Sequence, residues 1–425
     1  VVLVTRQASS EACPELEKAT KCETIAPVRA LLLENLSPKA TEILEAADIS
    51  VENHGGAMDE DELIEALQGV ELLGIRSKTQ LTERVIEACP DLIGVGAFSI
   101  GTNQIDLAAA ARHGIAAFNA PFSNTRSVVE MAVSEMISLT RRLPDHNRSL
   151  HEGVWSKSAA GAHEIRGRTL GIVGYGNIGS QLSVIAEALG MNVIFYDSAE
   201  KLALGNATRM PTLESLLREA DIVTLHVDGR KGNQGFFGVE QFDAMKQGAL
   251  FLNLSRGFIV DIESLKSRLE SGAIGGAAID VFPEEPKKTG DPFESPLQHM
   301  PNVILTPHIG GSTEEAQRDI GIFVATRLRD YVFHASTSLS VNLPNLSLDQ
   351  VQGSHRVAHL HENIPGVLAA VNQVFAAHNV NIDAQLLGTR GELGYVVTDV
   401  ASGLDDDAIR ALSSMPGTVR LRVLS

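Results

Sequence analysis

The sequence is short of cysteine, of positive charge, of aromatic residues and of long apolar runs, and each shortage removes a class of function. Three cysteines occur in 425 residues, Cys13, Cys22 and Cys89. An odd, sparse count with no metal-like spacing reads as reduced thiols in a cytoplasmic protein and predicts no metal site. No apolar stretch approaches the roughly 18 residues that span a bilayer, and Val1–Val4 is too short for a secretory signal, so no membrane partner is expected. Lys and Arg number 35 against 53 Asp and Glu, a formal net charge of -18, which argues against nucleic acid as a partner. The same field repels an anionic small molecule, so a pocket for one must carry its own Arg and Lys. Aromatics make up only 4% while glycines number 37, the mix of an α/β protein with aliphatic strands and turns that approach ligands closely.

The length implies two or three domains. From Val28 onward, apolar runs alternate with helical patterns: strands at Val28–Leu33, Leu72–Arg76, Leu92–Ala97 and Ile115–Phe118, with a helix opened by Ser37-Pro38 and further helices near Asp61–Leu67, Leu81–Ala88 and Gln104–His113. Residues before about Pro27 read as an extension. Thr125–Leu143 contains no Gly or Pro and predicts one long helix. A second alternating block has strands at Leu170–Val173, Asn192–Tyr196, Ile222–His226, Leu250–Leu254, Ala277–Phe282 and Val303–Thr306, enough for a complete doubly wound dinucleotide-binding domain. The polar segment Ser336–Gln352 reads as a linker. Beyond it, His355–Ser425 predicts the order βαββαβ, the ferredoxin-like arrangement.

The strongest chemical signal is Gly174-Tyr175-Gly176-Asn177-Ile178-Gly179. A GxGxxG alone is weak, but here a strand runs into it, an amphipathic helix follows, and the next strand ends at Asp197, 18 residues after Gly179. Glycines at these positions let the backbone approach a pyrophosphate at the helix N-terminus, and Asp197 suits the adenine-ribose hydroxyls while repelling a 2′-phosphate, so NAD is favoured over NADP. Three further residues lie at the carboxyl ends of later strands, where open α/β sheets bind ligands: Arg256 in Asn253-Leu254-Ser255-Arg256-Gly257, Glu285 in Asp280-Val281-Phe282-Pro283-Glu284-Glu285-Pro286, and His308 in Thr306-Pro307-His308-Ile309-Gly310-Gly311. Hydride transfer at a hydroxyl-bearing carbon requires a proton acceptor, which a His with a carboxylate neighbour supplies. It also requires a cation for the substrate carboxylate, which Arg supplies through a two-point grip. Singly, each has an ordinary alternative: a packing His, an Arg capping a strand, a Glu in a turn before Pro.

These segments, together with Gly101-Thr102-Asn103-Gln104, Asn119-Ala120-Pro121-Phe122-Ser123-Asn124-Thr125-Arg126-Ser127 and Gly153-Val154-Trp155, resemble the D-2-hydroxyacid dehydrogenase family, from about Val28 to the C-terminus. The resemblance implies an NAD-binding Rossmann domain inserted in a flavodoxin-like substrate domain, followed by a ferredoxin-like ACT domain. The boundaries expected on this basis are 1–123 for the extension and first part of the substrate domain, 124–310 for the nucleotide domain, 311–352 for the return and linker, with a returning helix at Thr313–Tyr331, and 353–425 for the ACT domain. It implies that Arg256 binds the substrate carboxylate, that His308 is the general acid/base and that Glu285 is its partner. Cofactor contacts are expected from the glycine loop, Asp197, Asn124, His226, Leu254, Ser255, Arg256, Asp280, His308, Gly310 and Gly311. The expected substrate is 3-phosphoglycerate, with Arg76, Ser77, Lys78, Asn124 and Arg256 binding it. Lys78 stands where many relatives have a second Arg. Arg141, Arg142 and Arg148 form a secondary anion site or a solvated helix end. Trp155 is expected either to insert into a neighbouring subunit or to be a buried core residue. In the ACT domain, His361, Asn363 and Asn381 match residues that hold L-serine at a subunit interface, with Ile364 where relatives often have Arg. A homotetramer is implied. Asp228 and Val129 are departures, standing where relatives commonly have Pro and Ala. Two rivals remain open: another member of the family acting on glycerate, hydroxypyruvate or 2-hydroxyglutarate, and a non-catalytic NAD(H) sensor. Reduction of 2-oxoglutarate beside the main reaction also stays open.

Overall fold

The computed structural model describes residues 2–4, 28–286, 290–401 and 403–424, and the chain divides into two compact units. The first comprises Val1–Pro121 with Gln317–Ser425, the second Phe122–Ala316.

The first unit holds two sheets. Strands β2 (Arg29–Leu33), β3 (Ser50–His54), β4 (Leu72–Ile75), β5 (Gly94–Ala97) and β6 (Ala116–Phe118) are parallel, in the order β3-β2-β4-β5-β6. This is the flavodoxin-like order, with its reversal between β2 and β4. Helices between the strands cover both faces, which is why β4 and β5 are buried throughout. The helix Glu314–His334 packs Val324, Leu328 and Tyr331 into the same core.

The second sheet is antiparallel: β14 (His355–Glu362), β15 (Ile382–Arg390), β16 (Leu393–Val400) and β17 (Thr418–Leu424), with helices Val367–Ala377 and Asp406–Ser413 on one face. With β1 (Val2–Val4) on the edge of β17, the order is β1-β17-β14-β16-β15. Alternation along the strands gives this sheet two buried faces. Val357, Val400 and Leu421 meet Val371, Phe375 and Leu412 of the helices. Ala358, Leu360, Tyr395 and Val397 join the core of the parallel sheet and of helix Glu314–His334. Three buried arginines secure that second contact. Arg356 pairs with Asp399 through two hydrogen bonds of 2.7 and 2.8 Å and donates to the His334 carbonyl at 2.7 Å. Arg422 donates to the carbonyls of Tyr331 and Val332 and stacks on the Tyr331 ring. Arg420 donates to the Leu92 and Pro90 carbonyls. Each charge is thus buried against carbonyl or carboxylate oxygens, the condition under which a buried charge is tolerated.

The second unit is a seven-stranded parallel sheet of β7 (Thr169–Val173), β8 (Asn192–Tyr196), β9 (Thr208–Arg209), β10 (Ile222–Leu225), β11 (Ala249–Asn253), β12 (Ile274–Ile279) and β13 (Val303–Leu305). Its order, β9-β8-β7-β10-β11-β12-β13, is doubly wound, with the reversal between β7 and β10.

Four expectations need correction. The single helix over Thr125–Leu143 ends at Thr140, because Arg142 turns left-handed at φ 53°, and a second helix runs from Leu143 to His151 with Pro144 in its first turn. Trp155 is 80% exposed, so it is not a core residue of the chain. Val2–Val4 is a strand of a sheet rather than part of a free extension. The segment Ser336–Gln352 does not run free: buried Asn342 accepts from the Ala117 amide and donates to the Ile115 carbonyl, so its polar residues satisfy the main chain beside β6. The expected role of residues before Pro27 otherwise lies outside the described residues, as do Cys13 and Cys22.

Candidate active site

In the second unit the strand ends build two adjoining features. After β7 the chain turns at Gly174 with φ 94°, and a Cβ there would lie 2.6 Å from the His226 carbonyl oxygen beyond β10. A Cβ at Gly179 would lie 2.3 Å from the Gly174 oxygen. Both glycines are therefore required for the backbone to close on itself. Gly176 differs: among the described residues nothing lies within 4 Å of a Cβ built there. The space in front of it, at the N-terminus of helix Asn177–Ala188, is open to an anion. Tyr175 is turned away from that space, stacked on Phe195 and hydrogen-bonded to Ser183, while Ile178 packs into the core beneath. Asp197, at the end of β8, accepts from the Tyr175 and Ala199 amides at 2.8 Å each, which aims its carboxylate toward the same loop. His226 is half-buried with its Nδ1 enclosed, it is hydrogen-bonded to Thr224, and desolvation lowers its pKa to about 4, so the ring is neutral. Among the described residues, its Nδ1 and the buried Asn124 Oδ1 have no hydrogen-bond partner. A glycine-cleared cradle, a ribose-suited carboxylate and orphaned buried polar atoms together fit a dinucleotide.

The second feature carries the titratable groups. His308 Nδ1 lies 2.9 Å from Glu285 Oε2, and Glu285 Oε1 accepts from the Phe282 amide at 3.1 Å. Because a carboxylate only accepts, the proton belongs on Nδ1 and the lone pair on Nε2. The hydrogen bond that His308 donates to Glu285 raises the His308 pKa, aided by the Glu285 and Asp280 charges and opposed by burial and Arg256. Burial pushes Glu285 up, but His308, the Phe282 amide and Arg256 outweigh it and hold the carboxyl below its ordinary range. Burial lowers the Arg256 pKa, with Glu285 and Asp228 opposing. The three side chains thus lie close enough to act on one another's charge.

What holds them is less visible in the sequence. Asp280, 2% exposed, accepts from the Thr306 hydroxyl and from the Ile309 and Gly310 amides, and its carbonyl accepts from His308 N. His308 is held at φ 54°, a left-handed conformation uncommon for residues other than Gly. Asn253 performs the same service for Arg256: its Oδ1 accepts from the Ser255 amide and hydroxyl, and its Nδ2 donates to the Arg256 carbonyl. Gly257 cannot be replaced, since a Cβ would fall 1.9 Å from the Phe282 carbonyl carbon. Leu254 is buried between these loops and the core of helix Thr125–Thr140. Gly311 lies against Asn124, 2.2 Å from a built Cβ to Nδ2. Sequence reasoning did not find the roles of Asn253 and Gly257, although both stand inside a quoted motif.

Asp228 lies within electrostatic reach of Arg256. It is paired with Arg230 and accepts from Asn233, and Val129 is buried in the helix. Of the basic cluster, Arg142 and Arg148 both face Asp145, at 2.8 and 3.8 Å. In the first unit, Arg76 is half-buried at the end of β4, with Ser77 and Lys78 exposed beside it. In the ACT-like sheet, His361 and Asn363 lie where β14 meets the β15–β16 hairpin: His361 packs on Gly394, and Asn363 donates to the Gly391 carbonyl. Asn381 precedes Ile382, which pairs with Val400 at the other end of β16, about 20 Å away at ~3.4 Å per residue. One chain therefore does not bring the three together. A cavity of about 500 Å³ lined by Asn35, Asn53 and His54, among others, contains none of the candidates. Among the described residues no helix is long and apolar enough to cross a membrane.

Comparison with known proteins agrees with this geometry. Residues 133–310 match the family of the D-isomer specific 2-hydroxyacid dehydrogenase, NAD binding domain, and residues 357–420 match an AHAS small subunit-like ACT domain. The chain is 49% identical over 400 residues to a protein from Escherichia coli K12 named D-3-phosphoglycerate dehydrogenase, covering 93% of this chain and 97% of that protein. A protein of the same name from Dictyostelium discoideum is 44% identical over 93% of this chain and 97% of its own length. Among solved structures, D-lactate dehydrogenase from Aquifex aeolicus, complexed with NAD and lactic acid, matches at 26% identity with a TM-score of 0.63, over 71% of this chain and 95% of that one.

Proposed function

The chain belongs to the D-isomer specific 2-hydroxyacid dehydrogenase family, and we propose that its reaction is the NAD-dependent oxidation of D-3-phosphoglycerate to 3-phosphohydroxypyruvate, the entry step to L-serine synthesis. The observation that carries the chemistry is the His308–Glu285 pair, 2.9 Å apart, with Arg256 in electrostatic reach of both. The substrate assignment follows the relatives that match along 93% of this chain and 97% of their own length.

Bound NAD supplies the hydride acceptor. The residues do the rest. Arg256 holds the substrate carboxylate by a two-point grip, orienting the hydroxyl-bearing carbon. His308 Nε2 takes the hydroxyl proton as the C–H hydride leaves, so the alcohol becomes a carbonyl and the imidazole a cation. Glu285, already accepting from Nδ1, stabilises that cation. In the reverse direction protonated His308 returns the proton to the new hydroxyl. Arg76, Ser77 and Lys78 are the candidates for the phosphate, a local positive group in a chain of net charge -18.

In this reading residues 124–310 bind the dinucleotide, 1–123 and 311–352 the substrate, and 353–425 an effector. L-Serine is the proposed effector, with His361 and Asn363 of one copy meeting Asn381 of another. The positions of these residues at two ends of one sheet support a site completed by a second copy, within a homotetramer. A cytoplasmic setting fits Cys89, which is buried with a free thiol. The test is NADH oxidation with 3-phosphohydroxypyruvate, with and without L-serine, alongside 2-oxoglutarate and hydroxypyruvate. Preference for the phosphorylated acid is expected, and preference for either alternative would replace the substrate assignment. Turnover indifferent to serine would remove the effector assignment and leave the enzyme intact.

A further inference from the structure

The parallel sheet of the first unit reverses between β2 and β4, so the residues just beyond Leu33 and Ile75 line its switch-point crevice. In open α/β sheets that crevice is where ligands bind. Here one wall is Glu34 and the other is the turn Arg76-Ser77-Lys78-Thr79. Three consecutive amides of this turn converge on one place, a main-chain arrangement that attracts anions. The place is filled from within the chain: Ser77 N and Lys78 N each donate to Glu34 Oε2 at 3.1 Å, and Thr79 N donates to Oε1 at 2.9 Å. Glu34 is 8% exposed, and among the described residues no Lys or Arg pairs with it. The amides alone satisfy its carboxylate.

Reaching this position is conformationally costly. Glu34 and Asn35 are both left-handed, at φ 66° and 52°, a region that side-chain-bearing residues avoid unless the surroundings impose it. The Glu34 amide is tied to the Gly56 carbonyl at 3.1 Å. The turn is secured at its other end as well. Gln104, 6% exposed, donates to the Arg76 carbonyl and to Ser99 Oγ, and its own carbonyl accepts from Leu81 N. The main chain of the turn is therefore fixed by two buried side chains, while the side chains of Ser77 and Lys78 face solvent and that of Arg76 is half-buried.

We infer that Glu34 is a positioning residue for substrate recognition: it occupies the amide nest of the switch point, and so fixes the turn from which the Arg76 and Lys78 side chains grip the distal phosphate. The inference rests on the proposed substrate. It also says how the phosphate is held. With the amides consumed, recognition falls to the guanidinium fork and the ammonium, whose placement depends on the turn. A carboxylate is required because both oxygens accept. In Glu34→Gln one oxygen becomes an amide nitrogen whose hydrogens face the amide hydrogens of the turn.

The experiment compares wild type, Glu34→Gln and Glu34→Asp on D-3-phosphoglycerate and on D-glycerate, the same acid without its phosphate, with hydrogen exchange read at the 77–79 amides. For Glu34→Gln, KM for D-3-phosphoglycerate is expected to rise about tenfold with kcat within about twofold, while KM for D-glycerate moves less than about twofold. The 77–79 amides should lose protection. Glu34→Asp keeps two acceptor oxygens and tolerates the left-handed conformation, so it should restore part of the preference; it also carries the test if the Gln variant does not fold. An equal rise in KM for both acids, or a fall in kcat with the preference unchanged, would reduce Glu34 to a structural cap and overturn the inference. Wild-type enzyme that prefers D-glycerate would instead overturn the substrate assignment, a different result from the same assay.

Discussion

Each parallel sheet of this chain reverses once, and the two reversals are used in opposite ways. Beyond β7 and β10 the crevice is kept clear: Gly174 and Gly179 let the backbone fold tightly, and among the described residues nothing lies within 4 Å of a Cβ at Gly176. Beyond β2 and β4 the crevice is filled by the Glu34 carboxylate, which three amides bind. Topology alone makes an anion-seeking place at both. The side chain beside the strand end decides whether the place receives a ligand or is consumed in shaping a loop. Asp280 belongs with Glu34 in this respect, since it spends both oxygens on the hydroxyl and amides that frame His308.

The comparison can be sharpened by separating chemistry from the open crevice. His308→Ala removes the proton acceptor without touching the glycine loop. Its kcat should fall about 10³-fold, within the range for loss of a general base, while the NADH dissociation constant read by fluorescence stays within about threefold. Comparable loss of both would sink the role given to His308.

Making the two crevices alike is the next test. Gly176→Glu places a carboxylate where a Cβ meets none of the described residues, imitating Glu34 in the other sheet. NADH affinity should drop at least tenfold, about 1.4 kcal/mol, with the melting temperature nearly unchanged. Gly174→Ala, whose Cβ would strike His226, should lose affinity and melting temperature together. If Gly176→Glu binds NADH normally, the open space is not the pyrophosphate site.

The smallest expected effect is a displacement on the pH axis. Glu285 raises the His308 pKa above its ordinary 6.5. Oxidation uses the unprotonated imidazole, so activity falls as pH drops through that raised pKa. In Glu285→Gln the support is lost, the pKa falls, and the acid limb of kcat/KM should move to lower pH, with a lower plateau because the cation formed in the reaction is less stabilised. A limb that stays in place would mean that another group sets it.

The alternation of strands and helices was readable because buried parallel strands are continuous aliphatic runs, as in Leu170–Val173. Ser50–His54 escaped notice because it is an edge strand whose side chains are mostly exposed, and only Val51 is apolar. Val239–Ala244, a six-residue helix, and Thr208–Arg209, a two-residue strand, carry too little periodicity to register. The break at Arg142 is a single backbone dihedral with no Gly to announce it. Within the site, Arg256, Glu285 and His308 stand in motifs with a chemical reading, and the fold brings Glu285 and His308 into contact across 23 residues. Glu34 offered no such reading. Its partners are 43 to 45 residues away, and a Glu after a strand, before Asn, resembles any loop.

The three arginines under the antiparallel sheet carry one more consequence. Arg356, Arg420 and Arg422 place their charges on carbonyls of Leu92, Tyr331, Val332 and His334, which belong to the flavodoxin-like half of the unit. Separating the two sheets would leave guanidinium groups and helix-end carbonyls without partners and open a shared core. Heat or denaturant should therefore melt the two sheets as one cooperative block, and a chain truncated before the ACT-like sheet would forfeit the stability of the half that remains.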